Sequence, residues 1–100
     1  MAIDERIKTD QADELFDAVL SLKNRKEAYK FFEDLCTIAE IKSMAQRWAV
    51  AKKLAAGETY QDIAQDTGAS TATISRVKRY LEYGADGYRL VLERIKGAEN

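Results

Sequence analysis

The sequence predicts an all-α fold of about six helices. Apolar residues recur at three- and four-residue intervals almost throughout, the period of a helix with one buried stripe. The 100 residues include no proline and only five glycines, so little interrupts such helices. Two stretches, Asn24 to Glu27 and Thr37 to Glu40, have the spacing of a capping box. No segment shows convincing strand alternation, and no internal repeat is present.

Each element follows from these signals. Residues 1–8 read as a loose arm. A first helix is expected from about Asp10 to Leu22, with Leu15, Phe16, Val19 and Leu22 on its apolar stripe and Leu20 beside it. Asn24 caps a second helix, Arg25 to Cys36, that buries Ala28, Phe31, Phe32 and Leu35. Thr37 opens the longest helix, Ile38 to Ala56. Ile41, Met44, Ala45, Trp48, Ala51, Leu54 and Ala55 mark its inner face, and Gly57 ends it. Thr59 caps a short fourth helix. Ser70 caps a fifth, which extends to about Tyr83 with Gly84 as its stop signal. Asp86 starts a last helix carrying Tyr88, Val91, Leu92 and Ile95.

Composition bounds the function. One hundred residues suit a single domain with a thin core, spanning 1–100. No run is long enough to cross a membrane and no apolar signal-peptide core follows Met1, so a cytoplasmic location is expected. There is no histidine and one cysteine, Cys36, which excludes a zinc finger and a histidine-based triad. No phosphate-cradling glycine loop is present, and the carboxylates read as helix caps or solvated faces. The expectation is a protein without enzymatic activity, metal or cofactor.

Net charge is −1, but it is unevenly spread. Residues 1–40 hold six basic and ten acidic side chains; residues 41–100 hold ten basic and seven acidic. Local charge matters more than the total, because screening confines a surface charge to about 8–10 Å.

The basic half contains the most informative segment, Thr59 to Tyr80, which reads as a helix-turn-helix. Ile63 and Ala64 form the inner face of its first helix, and the small Ala64 lets a second helix cross closely. Gly68 supplies a turn that needs positive φ. Ala69 follows it. Ile74 and Val77 form the inner face of the second helix. Its remaining residues are short hydrogen-bonding or basic ones, with no acid before Glu82. Such a face can enter the major groove of duplex DNA. Ser70, Thr71, Ala72, Thr73 and Ser75 stand near the helix start, where base edges are read. Arg76 suits a guanine or a phosphate. Lys78 and Arg79, and Gln61 on the preceding helix, suit phosphates. The alternative is a helical protein-interaction module that does not bind DNA.

The stretch Thr37 to Tyr80 resembles the Trp repressor superfamily, and most closely its compact TrpR-related branch, the YerC/YecD type. The resemblance rests on Leu54, Gly57-Glu58, Gln61, Gly68-Ala69 and above all Ala72-Thr73-Ile74-Ser75-Arg76. It implies a Trp repressor-like intertwined homodimer, with helices near both chain ends interlocked and two hairpins set into successive major grooves. It also implies base contacts at Thr71, Ala72 and Ser75. The family's corepressor site maps onto Thr37, Arg47 and Arg76, which are therefore candidate effector-binding residues. Val77 stands where that pocket has a glycine, and Tyr80 where a serine meets the ligand's amine. Both side chains argue against tryptophan, leaving another small effector or none. Trp48, by its apolar neighbours, reads as core and not as a ligand platform.

A dimer is also expected from the residues themselves. Phe16, Phe31, Phe32, Leu35 and the last helix's stripe are more apolar surface than a small hairpin needs, and a second copy would cover them. The function expected is a sequence-specific transcriptional regulator, a dimeric repressor reading an inverted repeat.

Overall fold

The computed structural model describes residues 3–99, without the side chain of residue 99. Residues 1 and 2 of the expected arm lie outside the described residues. Six helices make up the fold: α1 (Asp10–Leu20), α2 (Arg25–Leu35), α3 (Ile38–Ala55), α4 (Tyr60–Thr67), α5 (Thr71–Tyr83) and α6 (Gly87–Glu99). No strand occurs among the described residues. The described part of the expected arm, residues 3–8, is exposed throughout. It holds a turn in which the Ile7 and Lys8 N–H groups donate to the Asp4 and Glu5 carbonyls at 3.1 Å each. Asp4 accepts the Arg6 side chain there at 2.6 Å.

The helices begin where capping chemistry directs. Thr9, Asn24, Thr59 and Ser70 accept from the backbone N–H three residues on. The box opening α3 is complete: Glu40 N–H donates to Thr37 Oγ1 at 3.1 Å, and Thr37 N–H donates to Glu40 Oε1 at 2.8 Å. The Thr37 backbone N–H, and then its hydroxyl, hold the Glu40 carboxyl below its ordinary range. At α2 the return bond differs from expectation. Glu27 Oε1 accepts from Lys23 N–H at 2.9 Å, one residue before the cap. Helix ends fall within two residues of those expected, α1 stopping at Leu20 and not at Leu22.

The chain divides into two compact units, with the boundary between Lys42 and Ser43. The first contains α1, α2 and the start of α3. It has no buried residue in α1 or α2. Phe31 and Phe32 meet edge to face, 5.7 Å between centroids, and both remain partly exposed. Phe16 is 53% exposed, Leu20 81% and Ile38 73%. The apolar stripes foreseen for these helices are present but only partly covered: Leu15, Val19, Ala28, Phe31 and Phe32 are half-buried, and Phe16 and Leu35 are exposed.

The second unit holds the core. Val50, Ala51, Ile63, Ala69, Ile74 and Val77 are buried, with Trp48, Leu54, Tyr60, Ala64 and Tyr88 packed against them. Val50 falls outside the expected inner face of α3, yet it is fully buried. Ala45 and Ala55, expected inside, are exposed. The C-terminal half of α3 thus meets the hairpin through a face turned by about one residue. Trp48 stacks on Tyr88 of α6 at 6.3 Å and 23°, so it packs as a core-edge residue.

Candidate nucleic-acid interface

The candidate interface is built on the α4–turn–α5 hairpin. Ile63 on α4 and Ile74 on α5 are fully buried, and Val77 nearly so. Burying such a side chain contributes about 1.5–3 kcal/mol. These three fix how the two helices cross, and therefore which face of α5 points outward. Ala64 lies at the contact, half-buried, as its small size allows.

The turn is closed by local chemistry. Gly68 has φ 74°, the left-handed conformation a side chain would disfavour. Its N–H donates to the Ala64 carbonyl at 2.9 Å. Thr67 Oγ1 donates to the Ile63 carbonyl at 2.6 Å and accepts from Ala69 N–H at 3.2 Å. Gln46 Nε2 on α3 donates to the Thr67 carbonyl at 3.2 Å. Lys53 Nζ reaches Asp66 at 3.3 Å and Glu58 at 3.6 Å. The turn is thus tied to α3 on two sides, which limits how α5 can shift.

With the hairpin fixed, Thr71, Ala72, Ser75, Arg76, Lys78 and Arg79 are all exposed on α5, and Gln61 is exposed in the first turn of α4. No acidic residue occupies the first turn of α5. Ser70 is the cap: its Oγ accepts from Thr73 N–H at 3.1 Å. Its hydroxyl also donates to Thr73 Oγ1 at 3.1 Å. Thr73 is half-buried, so its hydroxyl is partly committed inside the protein. Tyr60 was not foreseen as a site residue. Its ring lies 5.8 Å beneath the Lys78 ammonium, a cation–π geometry. An aromatic residue just after the Thr59 cap was the available signal.

The candidate effector residues fall in both units. Arg47 and Arg76 are exposed in the second unit. Thr37 belongs to the first unit, where its hydroxyl serves the α3 cap. Val77 is packed into the core. Tyr80 is 56% exposed. It lines a cleft of about 500 Å³ with Trp48, Ala85, Gly87, Tyr88 and Val91, and neither arginine is among the walls. Among the described residues, no group of three or more His, Cys, Asp or Glu could hold a metal. No helix among them is long and apolar enough to cross a membrane.

Comparison with known proteins agrees with this geometry. Residues 10–96 match the model of the family described as Trp repressor protein. The chain is 54% identical over 95 residues to the uncharacterized protein YerC of Bacillus subtilis (strain 168), covering 95% of this chain and 91% of that one. The fold superposes on a candidate Trp repressor from Staphylococcus aureus with a TM-score of 0.89, at 54% identity over 92% of both chains. A TrpR-like protein from Eubacterium eligens ATCC 27750 gives 0.90 at 58% identity, covering 93% of this chain and 96% of that one.

Proposed function

The chain belongs to the Trp repressor family, and from that premise we propose that it is a sequence-specific DNA-binding transcriptional regulator without enzymatic activity. The observation that carries the proposal is the outward face of α5. Ile74 and Val77 are buried, so Thr71, Ala72, Ser75, Arg76 and Arg79 turn to solvent, and the helix has no acid before Glu82. Such a helix fits the major groove sterically and electrostatically. Thr71, Thr73 and Ser75 hydrogen-bond to bases directly or through water, Ala72 offers an apolar contact, and Ser70 stands beside them as the cap. Arg76 takes a guanine or a phosphate. Gln61, Lys78 and Arg79 hold phosphates, which set register and supply salt-dependent affinity.

The working form in this proposal is a homodimer in which each chain, residues 1–100, acts as one DNA-binding domain. The incompletely covered stripes of α1 and α2, with Phe16, Leu20 and Leu35 exposed, support it, because such apolar surface is stabilised by burial. Two copies related by a two-fold axis prefer an inverted repeat, with half-sites about one helical turn apart. Repression then follows by occlusion of a promoter. Tryptophan is left out of the proposal, because Val77 sits in the core where the family's pocket has a glycine.

Arg76→Ala and Arg79→Ala test the assignment of the face. Each is expected to weaken DNA binding about tenfold and to reduce the slope of log affinity against log salt by about 0.9 where a phosphate contact is lost. Unchanged affinity and slope in both variants would move the binding surface elsewhere, or leave a protein-interaction module.

A further inference from the structure

Lys78 and Arg79 are neighbours, but α5 delivers their charges to different places. Lys78 lies four residues after the buried Ile74 and next to the buried Val77. Residues four apart share a helix face. The Lys78 stem therefore leaves α5 from the border of the buried stripe, on the side where α4 packs. Arg79 lies three residues after the exposed Arg76 and continues the outer face. The Lys78 ammonium ends 5.8 Å from the centre of the Tyr60 ring. Tyr60 is the first residue of α4, directly follows the Thr59 cap and packs against the core. The ring is thus held on one side by the core and meets a cation on the other.

We propose that Tyr60 is a positioning residue for Lys78, its ring face fixing the lysine charge at the start of α4, beside Gln61, for one DNA phosphate. The inference rests on the DNA-binding reading above. In a docked helix-turn-helix the first helix crosses the phosphate backbone, so the start of α4 is where a held cation is useful. A free lysine loses much rotamer freedom when it engages a phosphate. An aromatic face attracts an ammonium without consuming its N–H donors, which stay available to phosphate oxygens. The ring therefore lowers the ordering cost before DNA arrives. It also divides the basic residues of α5 between two places: Lys78 serves the start of α4, and Arg76 and Arg79 serve the outer face of α5.

The test is a double-mutant cycle on full-length protein, with affinity measured for a duplex selected from a random pool. Y60F keeps the ring and is expected to bind within twofold of wild type. Y60L keeps an apolar plug against the core but loses the π face, and is expected to weaken binding about two- to fivefold. K78A is expected to weaken binding and lower the salt slope by about 0.9. Adding Y60L to K78A should then cost nothing further, an outcome that a general loosening of α4 would not produce. Equal losses from Y60L in the presence and absence of Lys78 would overturn the positioning role. So would a K78A loss with no Y60L loss. If Arg76→Ala, Arg79→Ala and K78A all leave affinity unchanged, the DNA-binding reading fails first and takes this inference with it.

Discussion

The hairpin and the N-terminal helices are built by the same local rules, yet only one of them is finished within a single chain. α1, α2, α4 and α5 all start at Ser, Thr or Asn caps, and each carries an apolar stripe. α4 and α5 close their stripes against each other and α3, with Ile63 and Ile74 fully buried. α1 and α2 bury nothing. Secondary structure is therefore not what separates these regions. What separates them is burial, and in the proposed dimer a second chain would supply the surface that α1 and α2 lack. The hairpin needs its own core to hold α5 at a fixed angle. The N-terminal helices keep apolar surface that a second copy can take up.

The largest expected effect lies in the hairpin. Ile74→Ala should cost about 2–5 kcal/mol in urea unfolding, because it empties a fully buried position. DNA binding should fall with it. A cost below about 1 kcal/mol would mean that the hairpin core is looser than its burial implies.

The N-terminal helices should respond differently. Phe16→Ala together with Leu35→Ala removes half-exposed side chains and should hardly alter a lone chain. In the proposed dimer the pair should raise the dissociation constant about tenfold or more, read by sedimentation at falling concentration. The same assembly state for the variant and the parent would break the contrast, because these stripes would then have no partner to lose.

Smaller effects sharpen the hairpin side. Ser70→Ala removes the oxygen that accepts from Thr73 N–H, and should cost about 1 kcal/mol of stability. A thermal melt of the variant measures this. A loss of DNA affinity beyond that loss of fold would mark Ser70 as a contact as well as a cap.

The smallest prediction concerns pH. Glu40 has its carboxyl held low by Thr37 in the folded chain. A lowered folded pKa gives stability that is present above the unfolded value and lost as pH falls through the folded one. The melting-temperature advantage of the parent over Glu40→Ala should therefore exist at neutral pH and vanish below the ordinary carboxylate range. Glu40 is exposed, so the difference should be slight.

Much of the hairpin was legible in the sequence because its determinants are local. A cap, a glycine and two apolar positions on each side define it, and the structure returns them at Ser70, Gly68, Ile63 with Ala64, and Ile74 with Val77. The face of α3 was less legible. Val50 is buried and Ala45 is not, because the crossing partner, and not the helix period alone, chooses the inner face. The end of α5 was legible, because it stops at Tyr83 with Gly84 as its cap. Gly84 stops α5 without positive φ, at φ −82°, while Asp86 adopts φ 68° before α6. The glycine thus marks the helix end, while the positive φ of the bend falls on Asp86. Tyr60 escaped notice because its contact with Lys78 spans α4 and α5 and exists only after they pack.

The most direct measurement is selection of bound duplexes from a random DNA pool with the purified full chain. The account predicts enrichment of an inverted repeat with half-site centres roughly 10 base pairs apart, lost in Arg76→Ala. Failure to enrich any sequence, or enrichment that Arg76→Ala, Arg79→Ala and Lys78→Ala all leave untouched, would contradict it.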